Sequence, residues 1–226
     1  MPTLALETST SLGSVAIGRG AHLLAESVLS VRATHSETVL DEIDRVCART
    51  GVGPQELIRV VVGSGPGSFT GVRIAAALAK GLCHARDLPL FAYSSLWAVA
   101  ATAGVSPVCA LFDARRGEVY AATFEGPAAQ PPVRGPEVLL LPRLLEELGD
   151  LRRWTFAGEG ATKHAEAITA AGGRSLPAHL GVPRASALLW LARTVPDAGA
   201  VEDRERWEPE YVRLPGARRE ALRVNA

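Results

Sequence analysis

The chain has 226 residues, 47% of them hydrophobic, which is enough apolar material for a substantial core. Its 24 Lys and Arg residues are matched by 24 Asp and Glu, a balance that argues against a free-standing nucleic-acid-binding module with its usual basic excess. Cys47, Cys83 and Cys109 are far apart and form no CxxC, so buried, reduced thiols are expected.

The opening stretch MPTLALETSTS has no basic start and no long apolar run, so it is not read as a signal peptide. No apolar run reaches the ~18 residues of a membrane span. A cytoplasmic protein without membrane contact is expected. TLALETS, GSVAIGRG and HLLAESVLSV then read as three short strands joined by tight turns, an antiparallel meander. In the following segment Thr34 and Glu37 have capping-box spacing, and Gly51 stands at a C-terminal stop. Val39, Leu40, Ile43, Val46 and Cys47 between them fall on one helical face. LIRVVVGSG is a continuous apolar run, which predicts a strand buried on both sides. A helix over 71–86, a strand in LPLFAYSS and a helix in LWAVAATAG follow. Parallel strands need crossovers, and the helices supply them. The order predicts a ribonuclease-H-like lobe over 1–104.

The remainder repeats that plan in a reduced form. SPVCALFDARRGEVYAATFEG reads as a hairpin, EVLLLPRLLEELG as a strand and helix, and RRWTFAGEGATKHAEAITAAGG as strand, Gly-x-Gly turn and helix. ASALLWLARTV is a further helix. A smaller second lobe over 105–226 is expected, with its last helix packing back on the first.

The glycine turn Gly63 to Gly71 precedes the helix over 71–86. Gly65, Pro66, Gly67 and Gly71 let a backbone approach closely, and free amides there can bind an anion. The spacing is neither GxxxxGK[ST] nor GxGxxG, so a phosphate clamp and a packing turn both stay open. The helix carries Ala75, Ala76, Ala77, Ala79, Gly81 and Ala85, small residues on several faces, which suits a partner surface as well as a core.

The five histidines have no HExxH or HxxxH spacing, so no helical metal site is expected. No GxSxG elbow or serine–histidine pairing is evident. Glu7 and Asp113 each close the first strand of a lobe. They could face a central cleft that holds a Mg-nucleotide, or cap local amides. The arginine-rich stretch RLPGARREALR could touch RNA, or be a solvated tail offset by nearby acids.

LALETSTSLGSVAI, GSGPGSFTGVRIAAALAKGL, DARRGEVYAA and EPEYVRLPG together resemble the bacterial TsaB (YeaZ) family. The resemblance implies the two-lobed α/β fold of actin, sugar kinases and heat-shock ATPases. It implies a non-catalytic subunit, without cofactor or metal, of the machinery making threonylcarbamoyladenosine beside the tRNA anticodon. Its partner would be a TsaD-type transferase, joined by a TsaE-type ATPase, with a homodimer when alone and tRNA reached only through the complex. The histidine metal ligands of TsaD relatives would fall here at Ser95 and Val99, which cannot replace imidazoles. The helices over 35–50 and 71–86 would dock on the partner, and the positions expected at that interface are Val39, Ile43, Val46, Ala77, Lys80 and Gly81. The alternative is an ATP-binding or peptidase-like enzyme of the same fold.

Overall fold

Three consecutive strands, β1 (Pro2–Glu7), β2 (Leu12–Arg19) and β3 (His22–Ser30), form the antiparallel meander. The computed structural model describes residues 1–30 and 36–212. The expected cap at Thr34 and Glu37 and the arginine-rich stretch from Arg213 lie outside the described side chains. Helix α1 (Ser36–Thr50) crosses over to β4 (Arg59–Gly63), which pairs in parallel with β1. Helix α2 (Phe69–Arg86) crosses over to β5 (Leu90–Tyr93), parallel to β4. The sheet order is β3-β2-β1-β4-β5.

Helix α3 (Ser95–Ala103) leads to the second sheet. There β6 (Val108–Asp113), β7 (Glu118–Phe124) and β8 (Arg134–Leu140) form a second meander. Helix α4 (Leu141–Leu148) precedes β9 (Thr155–Ala157), parallel to β6. The helix expected after the second Gly-x-Gly turn breaks at His164, whose φ of −108° ends α5 (Glu159–Lys163) and starts α6 (Ala165–Ala170). A two-residue strand, β10 (Arg174–Ser175), completes the order β10-β9-β6-β7-β8. Read from its own first strand, the second sheet repeats the topology of the first. This is the actin/sugar-kinase type of α/β fold, with two ribonuclease-H-like sheets and the second reduced at β9 and β10.

Alternation along β1 assigns the layers. Leu4 and Leu6 join Val15, Ile17, Val60 and Val62 beneath α1 and α2. Ala5 faces the other way, with Ala16 and Val61, onto α3 and α7 (Ala185–Thr194). Val108, Ala110 and Phe112 of the second sheet reach the same cluster. So α3 and α7 are sandwiched between the two sheets, and one core serves both. Helix α7 packs on β1, β2 and β4. Its first amides are capped from the first sheet: Ala185 N donates to Ser14 Oγ at 2.7 Å and Ser186 N to Glu26 Oε1 at 3.1 Å. The chain then runs along the free edge of β5, where Ala92 N donates to Gly199 O at 2.8 Å and Val201 N to Leu90 O at 3.1 Å. Cys47, Cys83 and Cys109 are buried and unpaired, and burial pushes the Cys83 thiol up to about 11.

Candidate functional site

The glycine turn is filled by protein. A Cβ on Gly67 would lie 2.2 Å from Ser9 O, and one on Gly71 would lie 2.0 Å from Thr8 O. Ser68 N donates to Ser9 O at 2.6 Å, Ser64 N to Tyr93 O at 2.8 Å, and Thr8 Oγ1 to Gly71 O at 2.7 Å. From the other side, Glu210 N donates to Ser64 O at 2.8 Å, and Glu210 O covers Gly65. The backbone after β1 occupies the space a phosphate would need. Of the two readings left open by the sequence, the packing turn fits this geometry. Pro66 forms a cis peptide with Gly65 inside it.

Glu7 does not reach the cleft. It is fully buried, takes 2.7 Å and 2.8 Å hydrogen bonds from Ser9 N and Ser95 Oγ, and lies against Gly63. Burial pushes its carboxyl up, against the opposing pull of the bonds from Ser9 and Ser95. Asp113 does line the cleft, a cavity of about 940 Å³ between the β1–β2 turn, the start of α5 and residues 178–184. Burial raises the Asp113 carboxyl, but Lys163 Nζ at 2.7 Å and the amide of Arg115 at 3.2 Å outweigh it and leave it below the usual range. So the two candidate carboxylates do not converge: Glu7 braces the first lobe's turn, and Asp113 is neutralised by Lys163.

The helix pair corrects the sequence expectation in part. Val39, Ile43 and Val46 are sealed in the chain's own core, at 0, 3 and 0% exposure, and cannot touch a partner. They are the apolar stripe by which α1 lies on β2 and β3. The outer face of α1 carries Leu40, Asp41, Asp44, Arg45 and Arg49. On α2, Ala75, Ala79 and Cys83 point inward, while Ala77 and Gly81 are exposed. Phe69, Thr70, Arg73, Ile74, Ala77 and Leu78 line a shallow groove of about 400 Å³ on that outer face. Phe69 is 47% exposed, with the Arg73 guanidinium 4.6 Å above its ring and Tyr211 5.4 Å away. Lys80 turns its ammonium back onto its own chain, donating to Glu205 O at 2.8 Å and Trp207 O at 3.0 Å. Residues 203–211 are thus strapped beside α2, a feature that sequence periodicity had no means of signalling.

Comparison with known proteins places this geometry. The family model for TsaD, tRNA N6-adenosine threonylcarbamoyltransferase, matches residues 22–145, more than half of the chain. A solved structure from Pseudomonas aeruginosa, described as similar to peptidase YeaZ, superposes with a TM-score of 0.80 at 30% identity, covering 94% of this chain and 99% of that one. The chain belongs to that family, as one of its TsaB (YeaZ) members. The TsaB of Bacillus subtilis, named a tRNA threonylcarbamoyladenosine biosynthesis protein, is 36% identical over 130 residues, 55% of this chain and 56% of that one. The chain thus aligns with about half the length of the curated relatives it matches. At the level of fold alone, the activator of 2-hydroxyisocaproyl-CoA dehydratase from Clostridium difficile superposes with a TM-score of 0.51 at 10% identity.

Ser95 and Val99, the positions at which the resemblance would set the histidines of TsaD relatives, are each 0% exposed, in α3. The Ser95 hydroxyl donates to Glu7 Oε2 at 2.8 Å. Among the described residues, no three His, Cys, Asp or Glu side chains stand close enough to share a metal ion. Nor is any described helix long and apolar enough to cross a membrane.

Proposed function

We propose that this chain is the non-catalytic subunit of the machinery that forms threonylcarbamoyladenosine in tRNA, and that it holds a TsaD-type transferase on the outer face of α2. The observation that carries this reading is the α2 face itself. A helix otherwise committed to its own core presents Phe69, Ala77 and Gly81 outward, with small residues that allow another helix's backbone to come close. The names of the TsaB relatives support the pathway. The free chain pairs with a second copy through the same face, and the transferase competes for it. A TsaE-type ATPase joins the heterodimer, and tRNA is reached through the complex.

Ala77→Arg tests the reading. Ala77 is exposed, so the fold should keep its stability within about 0.5 kcal/mol. A guanidinium forced into a close helix–helix contact should weaken transferase binding by about a hundredfold, roughly 2.7 kcal/mol. Calorimetric titration of the transferase into each form measures this. Unchanged affinity would place the interface elsewhere. A companion assay of tRNA modification should require both proteins and give no product with this chain alone.

A further inference from the structure

Residues 203–211 form a strap along one flank of α2. Beyond the C-terminal end of the helix, the Arg204 guanidinium donates to Asp87 Oδ1 and, at 3.0 Å, to Leu88 O. Midway, Trp207 packs against the core cluster that includes Ala79 and Cys83, and Lys80 Nζ holds the carbonyls of Glu205 and Trp207. At the N-terminal end, Glu210 N donates to Ser64 O and the ring of Tyr211 meets that of Phe69. Phe69 and Lys80 stand about three helical turns apart and so lie on one stripe of α2. Ala77 is exposed and Gly81 has nothing within 4 Å, so the strap borders the outer face of the helix without covering it.

Phe69 walls the shallow groove on that outer face, together with Thr70, Arg73 and Ala77. An exposed ring on the first turn of a helix would ordinarily keep its rotamer freedom. Here two groups remove it. The Arg73 guanidinium lies 4.6 Å above the ring, and the Tyr211 ring lies 5.4 Å away at an interplanar angle of 44°. Arg73 is one turn along the same helix, so its contact is local. Tyr211 comes from the far end of the described chain and is delivered by the strap. Fixing a ring that stays nearly half in solvent adds little to the core; it matters to whatever lands on the ring. An aromatic side chain held in place before association loses less conformational entropy on binding, and such residues dominate interface energetics.

We propose that the strap pre-organises the docking face: Tyr211 is a positioning residue that holds Phe69 as the aromatic anchor for the TsaD-type transferase, and Lys80 keeps the strap in place. This rests on the reading of α2 as the docking face and adds to it a part for a segment remote in sequence. Lys80 serves the interface without touching the partner, because its ammonium is engaged by the strap.

Calorimetric titration of the transferase into the full chain tests this, with Ala77→Arg in the same series to report on the docking face itself. Phe69→Ala should weaken binding by about tenfold, the loss of an anchor. Tyr211→Ala should weaken it by about fivefold, the entropy of one freed side chain. Tyr211→Phe keeps the ring and should restore the affinity. Phe69→Ala combined with Tyr211→Ala should bind no more weakly than Phe69→Ala alone, since Tyr211 then has nothing to position. Lys80→Met should weaken binding and also speed amide hydrogen exchange across residues 203–211. The thermal midpoint of each variant is read alongside, to show that it is folded. Full affinity in Phe69→Ala or in Tyr211→Ala overturns the proposal. So does an additive double variant, a Tyr211→Phe as weak as Tyr211→Ala, or a Lys80→Met whose strap exchanges faster at full affinity. If Ala77→Arg weakens binding in that series, the docking face outlives the failure. Undiminished binding by Ala77→Arg removes the docking face and this inference with it.

Discussion

Glu7 shows how one residue can mislead at the level of sequence. A carboxylate at the end of a first strand, before a small-residue turn, is placed equally well to face a ligand or to brace its own loop. Here it braces: Ser9 N and Ser95 Oγ are its partners, and Gly63 leaves room for it. The burial that raises its carboxyl works against the folded state wherever the unfolded chain would ionise it. A group whose folded value lies above its unfolded one loses stability for the protein as pH rises through the interval between them. Glu7→Gln removes that penalty and keeps an acceptor for Ser9 N. The variant should melt higher than the parent at pH 8. The difference should close as pH falls below the ordinary carboxylate range, where both side chains are neutral. Thermal unfolding across pH checks this, and a lower midpoint at pH 8 would mean the ionised form is needed.

At the scale of one element, α2 holds two glycines with opposite roles. Gly71 lies where any side chain would strike Thr8 O at 2.0 Å, whereas Gly81 has nothing within 4 Å. Gly71→Ala should destabilise by about 3 kcal/mol, by overpacking against backbone that has no room to move. That lowers the midpoint by roughly 6–12 °C for a chain of this size. Gly81→Ala should do the reverse, adding about 1 kcal/mol of helix propensity. Differential scanning calorimetry of the pair separates packing from propensity, and equal effects would contradict the turn geometry. Both helices were legible in the sequence, because a stripe at 3.6-residue period marks a buried face. What covers the stripe was not legible. Val39, Ile43 and Val46 carry the same signal whether they meet their own sheet or a partner, and here they meet β2 and β3. The strap over Lys80 was equally hidden, since its bonds are to the carbonyls of Glu205 and Trp207, which every residue type possesses.

For the whole molecule, two sheets of like topology share one interior. Ala5, Ala16 and Val61 of the first sheet and Val108, Ala110 and Phe112 of the second all contact the layer of α3 and α7. Helix α7 follows the second sheet in the chain but packs on β1, β2 and β4 of the first. Residues 1–104 made alone would leave that face of the first sheet uncovered by α7, and the edge of β5 unpaired at Leu90 O and Ala92 N. Such a fragment should give no cooperative thermal transition by circular dichroism, whereas the full chain should unfold in one. A sharp transition for the fragment would show that the shared layer is dispensable.

The sequence by itself determined the strand and helix order, the reduced repetition of the plan and the absence of phosphate-loop spacing. Those features follow from local patterning and turn chemistry, which act over a few residues. The tertiary structure alone decided which apolar stripe is core, where Glu7 points, and that a cleft lined by Glu159 opens beside Leu12 and Leu180. These depend on contacts between separate segments of the chain, such as α1 with β2 and β3, Ser95 with Glu7 and Ser11 with Glu159, and no local pattern records which other segment will fill a given face.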